Sequence, residues 1–206
     1  MNHDIFFIII TVSFLLIGIL KAFYWNYGKL LVLGSLQYRY ASQYLRLENA
    51  LTQRVNGITF IIMIVNLSLL IVLQNDIYSV TDFLNVSFSV LIYFFLKYLL
   101  ILFLGNIFLK KEIARLTIFF SYISDRSLSI VIFPFLVLAY FISFDINHHI
   151  IYLILFISAL FLFFKIYSLF KIGTNSFGLF PLYIFLYLCT LEIFPFVLVT
   201  KGFFYD

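Results

Sequence analysis

Polar residues in this chain gather in a few clusters, and the sequence between them is apolar over stretches close to the length of a bilayer-crossing helix. Such stretches cover residues 5–23, 57–73, 86–108, 128–144, 150–170 and 179–200. They predict an all-α, polytopic membrane protein with about six transmembrane helices, because only a helix satisfies its own backbone hydrogen bonds in lipid when no closed barrel is formed. No soluble domain or internal repeat interrupts them, so residues 1–206 read as one integral membrane domain. The first stretch has no preceding Lys or Arg and no small-residue cleavage pattern after it, and reads as a retained span. Tyr24, Trp25 and Tyr27 follow it as an aromatic belt.

Two segments have a different pattern. In 30–55, Leu36, Tyr40, Tyr44, Leu47 and Leu51 recur at helical spacing, with Arg39, Gln43, Arg46 and Gln53 on the other side. This predicts an amphipathic helix on the cytoplasmic face. Arg39, Gln43 and Arg46 would dock a partner or anionic lipid; the plainer alternative is a membrane-parallel helix covering the rim of the bundle. In 112–124, Ile113, Leu116, Phe119, Phe120 and Ile123 make an apolar face too short to span before Ser124-Asp125-Arg126-Ser127. A short interfacial helix and a turn are expected there, with Ser124 or Ser127 capping the next span. Pro134 is expected to kink that span. Residues 145–149 read as a tight loop and 173–178 as a turn.

Charge orients this scheme. Lys21, Lys29, Arg39, Arg46 and Arg54 follow the first span, Lys110, Lys111, Arg115 and Arg126 the third, and Lys165 and Lys171 flank the turn after the fifth. The loops after spans two and four carry no Lys or Arg. Basic segments stay inside, so both termini are expected in the periplasm. Composition agrees: 65% of residues are hydrophobic, 11% are charged and the mean hydropathy is +1.14. Soluble domains carry about 45–50% apolar and about 25% charged residues. The net charge of +4 does not argue for nucleic acid, since the basic residues border apolar runs. With a single cysteine, Cys189, no intrachain disulfide can form.

The candidate chemistry lies in two ionisable groups at membrane depth. Lys97 sits roughly 16 Å below the outer end of its span and Glu192 roughly 12 Å below the outer end of the last one, at 1.5 Å per residue. Each is costly alone, which predicts a buried pair, either a proton relay or a structural ion pair that fixes helix register. Asn66 is expected to bond between helices. His148, His149 and Asp145 are weak metal-ligand candidates, because neighbouring His side chains on a tight loop rarely converge on one ion and no His-Glu-x-x-His spacing accompanies them. Ser124-Asp125-Arg126-Ser127 reads as a local charge pair with a cap, or as a lipid head-group contact. No nucleotide loop or nucleophile elbow is present, and no cofactor is expected. The expected partners are the lipid bilayer and a membrane protein or a second copy.

Three stretches carry a family resemblance: RYASQYLRLE at Arg39–Glu48, Lys97 followed by LGNIFLKKE ending at Glu112, and LYLCTLEIFP at Leu186–Pro195 followed by Lys201. With these the chain resembles the domain-of-unknown-function 4271 family of Bacteroidota membrane proteins. The resemblance implies a bacterial inner-membrane protein and transfers neither an activity nor a catalytic residue. The leading functional expectation is a non-enzymatic subunit or assembly factor of an envelope complex. A small proton-coupled transporter or channel using Lys97 and Glu192 is the alternative, and a lipid-modifying membrane enzyme a further one.

Overall fold

The computed structural model describes residues 3–36, 38–47, 50–74, 79–107, 111–141 and 144–177. These residues are all helical apart from short connections: α1 (His3–Leu36), α2 (Tyr38–Arg46), α3 (Ala50–Gln74), α4 (Val80–Ile107), α5 (Lys111–Phe141) and α6 (Phe144–Phe177). Five of them contain stretches long and apolar enough to cross a membrane: Phe6–Leu36, Leu51–Leu73, Val80–Phe103, Thr117–Phe141 and Ile150–Phe170. The sixth expected span, 179–200, lies outside the described residues.

Half of the apolar window of α3 is buried and 44% of that of α5, against 22% in α1, α4 and α6. The first two are therefore the centre of the bundle, and the other three turn most of their surface outward. On α4 the outward residues include Phe88, Phe95 and Phe103, while Val90, Phe94, Lys97 and Ile101 form the buried stripe at helical spacing. At one end of the bundle Phe6, Ile10, Leu69, Val72, Phe83 and Phe133 pack together. At the other, Leu31, Ala41, Tyr44, Phe120, Ile123 and Leu169 do so.

Lipid tails are as apolar as these side chains, so close fit and polar cross-links, rather than the hydrophobic effect, hold the helices to one another. One such cross-link crosses the middle of the bundle. Ser13 Oγ donates to Asn66 Oδ1 (2.7 Å), and Asn66 Nδ2 donates to the Ser129 carbonyl (3.1 Å). All three residues are at most 1% exposed, and they tie α1, α3 and α5. Asn66 thus bonds between helices, as its position in an apolar run led us to expect.

Several boundaries depart from the sequence pattern. The segment 30–55 is divided between the end of α1, the nine-residue α2 and the start of α3. α1 breaks at Tyr24 (φ −131°, ψ 25°), where the first apolar run meets the aromatic belt, then continues to Leu36. α2 buries Ala41 and Tyr44 and exposes Gln43 and Arg46; the Arg39 side chain lies outside the described ones. α4 starts at Val80 rather than 86: the Ser79 carbonyl accepts from the Phe83 N–H at 3.1 Å, and Asp82 is an acidic first-turn residue ahead of the apolar run. The separate interfacial helix at 112–124 and the turn at 124–127 are absent: α5 is one helix of 31 residues that runs through Asp125, Arg126 and Pro134. Likewise α6 contains both 145–149 and 173–177, segments whose composition suggested a loop and a turn. Local polarity marked these as breaks; at 124–127 the polar side chains are received by neighbouring helices and by the preceding turn.

α2 approaches α1 closely at Gly34. A Cβ there would lie 3.2 Å from Ala41 Cα and 3.3 Å from Ala41 N, both backbone atoms that cannot rotate away. At Gly57, also helical, a Cβ would have no neighbour within 4 Å. Gly34→Ala is therefore expected to lower stability by about 1–3 kcal/mol through overpacking, whereas Gly57→Ala should raise it by about 0.5–1 kcal/mol through lost backbone freedom in the unfolded chain. Thermal unfolding of the two variants in one detergent checks the contrast, and equal shifts would refute the close contact.

Candidate functional site

Helical periodicity turns Lys97 inward. It shares the buried stripe of α4 with Val90, Phe94 and Ile101, and is 5% exposed. Lys165 occupies the corresponding position on α6, in line with Ile154, Ser158 and Leu169, and is also 5% exposed. Between them α5 presents Asp125. Lys97 Nζ donates to Asp125 Oδ2 at 3.2 Å, and Lys165 Nζ donates to Asp125 Oδ1 at 2.6 Å. One carboxylate thus joins three membrane-length helices, with an 18% exposed side chain flanked by two enclosed ammonium groups. Ions at this depth are tolerated because each charge is met by another and by charge-assisted hydrogen bonds.

Next to this cluster is a second polar node. Arg126 Nη1 donates to Asn56 Oδ1 at 2.6 Å, and the Tyr44 hydroxyl donates to the same oxygen at 2.9 Å. The Arg126 guanidinium lies 5.5 Å from the centre of the Tyr122 ring, and the Tyr122 hydroxyl donates to the Phe94 carbonyl at 3.2 Å. α2, α3, α4 and α5 all meet here. Burial pushes the Tyr44 phenol up to about 12, only partly opposed by the nearby Arg126 charge.

These contacts correct the reading of Ser124-Asp125-Arg126-Ser127 as a capped turn with a local charge pair. Ser127 Oγ donates to the Ile123 carbonyl one turn back instead of capping a new helix (3.0 Å), and Asp125 pairs across helices. They also correct the expectation that no spanning group but Glu192 answers Lys97, since Asp125 does so. Lys165 belongs to the bundle interior, although its place near the end of an apolar run suggested a flanking charge at the surface. The signal for it was present in the spacing of Ile154, Ser158, Lys165 and Leu169 along one helix face. Glu192 and Cys189 lie outside the described residues. Asp145, His148 and His149 sit in the first turns of α6, in helix rather than a loop, and their side chains lie outside the described ones.

A family model described as "Domain of unknown function (DUF4271)" matches residues 6–203, nearly the whole chain. No curated protein and no solved structure matches it.

Proposed function

Because the chain belongs to the DUF4271 family, whose description names no activity, we propose a role from the placement of its polar groups: a non-enzymatic, multi-pass protein of the bacterial inner membrane that serves as a subunit or assembly factor of an envelope complex. In this reading its source is a member of the Bacteroidota. The observation that carries this reading is that Lys97 and Lys165 are both directed at Asp125, as befits a scaffold that must hold three helices in register. The polar surface of α2 is turned the other way, with Gln43 and Arg46 exposed. In this reading α2 is the amphipathic docking helix at the cytoplasmic side, where the basic segments gather, and both termini are periplasmic.

Co-purification in mild detergent tests it. Arg39→Ala, Gln43→Ala and Arg46→Ala combined should leave expression and thermal stability unchanged and abolish retention of a partner that the unaltered protein holds stoichiometrically. Retention of the same partner by the triple variant removes α2 as the docking surface.

The second reading is a small proton-coupled transporter or channel, favoured by the depth at which Lys97, Asp125 and Lys165 meet. Glu192 enters here as the acid of the last apolar run. α6 is helical to Phe177, with Lys165 roughly 18 Å before that end. On this reading the apolar run 179–200 is the last span, and Glu192 within it is the acid drawn to the two ammonium groups.

A further inference from the structure

We infer that Arg126 anchors a phosphate-binding site at the α2 end of the bundle, suited to the head group of an anionic phospholipid. Its environment differs from that of the two buried lysines. Each lysine donates to a carboxylate, whereas the guanidinium meets two neutral groups, the side-chain carbonyl oxygen of Asn56 and the face of Tyr122. Tyr44, the other donor to Asn56 Oδ1, brings no negative charge, since its phenol is held neutral well above ordinary pH. Asp125 is adjacent in sequence, but its two oxygens accept from Lys97 and Lys165. Arg126 Nε is buried and has no hydrogen-bond acceptor among the described residues.

A guanidinium with one edge unanswered is matched by an oxyanion, because its planar fork presents parallel N–H groups to two oxygens of a phosphate or carboxylate. The level of the site selects the phosphate. Asn56 lies roughly 9 Å along α3 from its first residue, and Tyr44 belongs to the short helix outside the membrane-length stretches. Arg126 starts roughly 14 Å into the membrane-length stretch of α5, one residue past Asp125, and its long side chain reaches Asn56 and Tyr122 on the side of α2, where it is placed to hold a lipid phosphate that enters against α2 and α3. The same chemistry accepts free inorganic phosphate, and the experiment separates the two sources.

The purified full chain in dodecyl maltoside is titrated with phosphatidylglycerol, phosphatidylcholine or inorganic phosphate. Thermal unfolding is followed, and bound lipid is counted by native mass spectrometry. Phosphatidylglycerol should raise the unfolding temperature and remain bound, phosphatidylcholine should do neither, and Arg126→Gln should weaken the phosphatidylglycerol effect by about tenfold or more, the loss of one charge-assisted contact. Lys29→Gln, an exposed position on α1, should leave it unchanged. Stabilisation by millimolar inorganic phosphate that depends on Arg126 supports the oxyanion site with a soluble source. If Arg126→Gln does not fold, Arg126→Lys retains the charge without the fork and should bind more weakly than the unaltered protein. Equal stabilisation by both lipids, or equal phosphatidylglycerol binding by the folded Arg126 variants and the unaltered protein, overturns the assignment.

Discussion

Asp125→Asn should be the most destabilising single exchange among the described residues, with a loss of about 3–5 kcal/mol in unfolding free energy. Asn keeps the shape and one acceptor oxygen, so the packing volume of α5 is unchanged. What disappears is the charge that Lys97 and Lys165 both face at 3.2 and 2.6 Å. Two ammonium groups at membrane depth then lose the counter-charge they share, and each repels the other. Lys165→Met alone should cost less, because Asp125 retains Lys97, and adding Lys165→Met to Asp125→Asn should recover part of the loss. The expected coupling is about 0.5–3 kcal/mol, the range for residues sharing one network. Thermal or denaturant unfolding of the four proteins in one detergent measures it. An Asp125→Asn variant that unfolds with the unaltered protein would mean that the ion cluster contributes nothing to the fold.

Comparable in size is the effect expected at Lys97 and Glu192. Lys97→Met and Glu192→Gln should each lower stability by roughly 3–5 kcal/mol where the partner charge stays buried, and the double variant should cost less than their sum because the desolvation penalty leaves with the charges. The measurement also separates the two readings of the site. A double variant that is stable and fully active in vivo makes the pair structural. One that is stable but inactive makes it part of a transport or proton-transfer step. Strict additivity of the single variants would show that the two residues do not meet. Asp125 shapes this outcome: since it already answers Lys97, the loss from Glu192→Gln should be cushioned in a Lys97→Met background and deepened in an Asp125→Asn background.

Much of the architecture was legible from local pattern. The apolar runs at 5–23, 57–73, 86–108 and 150–170 each coincide with one of α1, α3, α4 and α6, and Asn66 binds its neighbours as a polar group in such a run does. The misreadings share one feature. Ser124-Asp125-Arg126-Ser127, 145–149 and 173–177 are polar enough to look like breaks, yet each lies in a continuous helix. Polarity signals a break only if water is the group that satisfies it. At Asp125 the satisfying groups are lysines 28 and 40 residues away in sequence, on α4 and α6. Nothing within a window of one helix reports them.

The sequence by itself determined that this is a multi-pass helical membrane protein, because a bilayer demands about 20 apolar residues per crossing and a backbone that satisfies itself within the segment. Both conditions are local and can be read one stretch at a time. It also placed Lys97 inside an apolar run at membrane depth, where a charge without a partner is costly. Only the tertiary structure decided that Asp125 and Lys165 join Lys97 in the interior and that Arg126 faces Asn56 and Tyr122 instead of a carboxylate. A charge at membrane depth is stable or ruinous according to what stands opposite it, and that is settled by which helices become neighbours, a property of the whole chain.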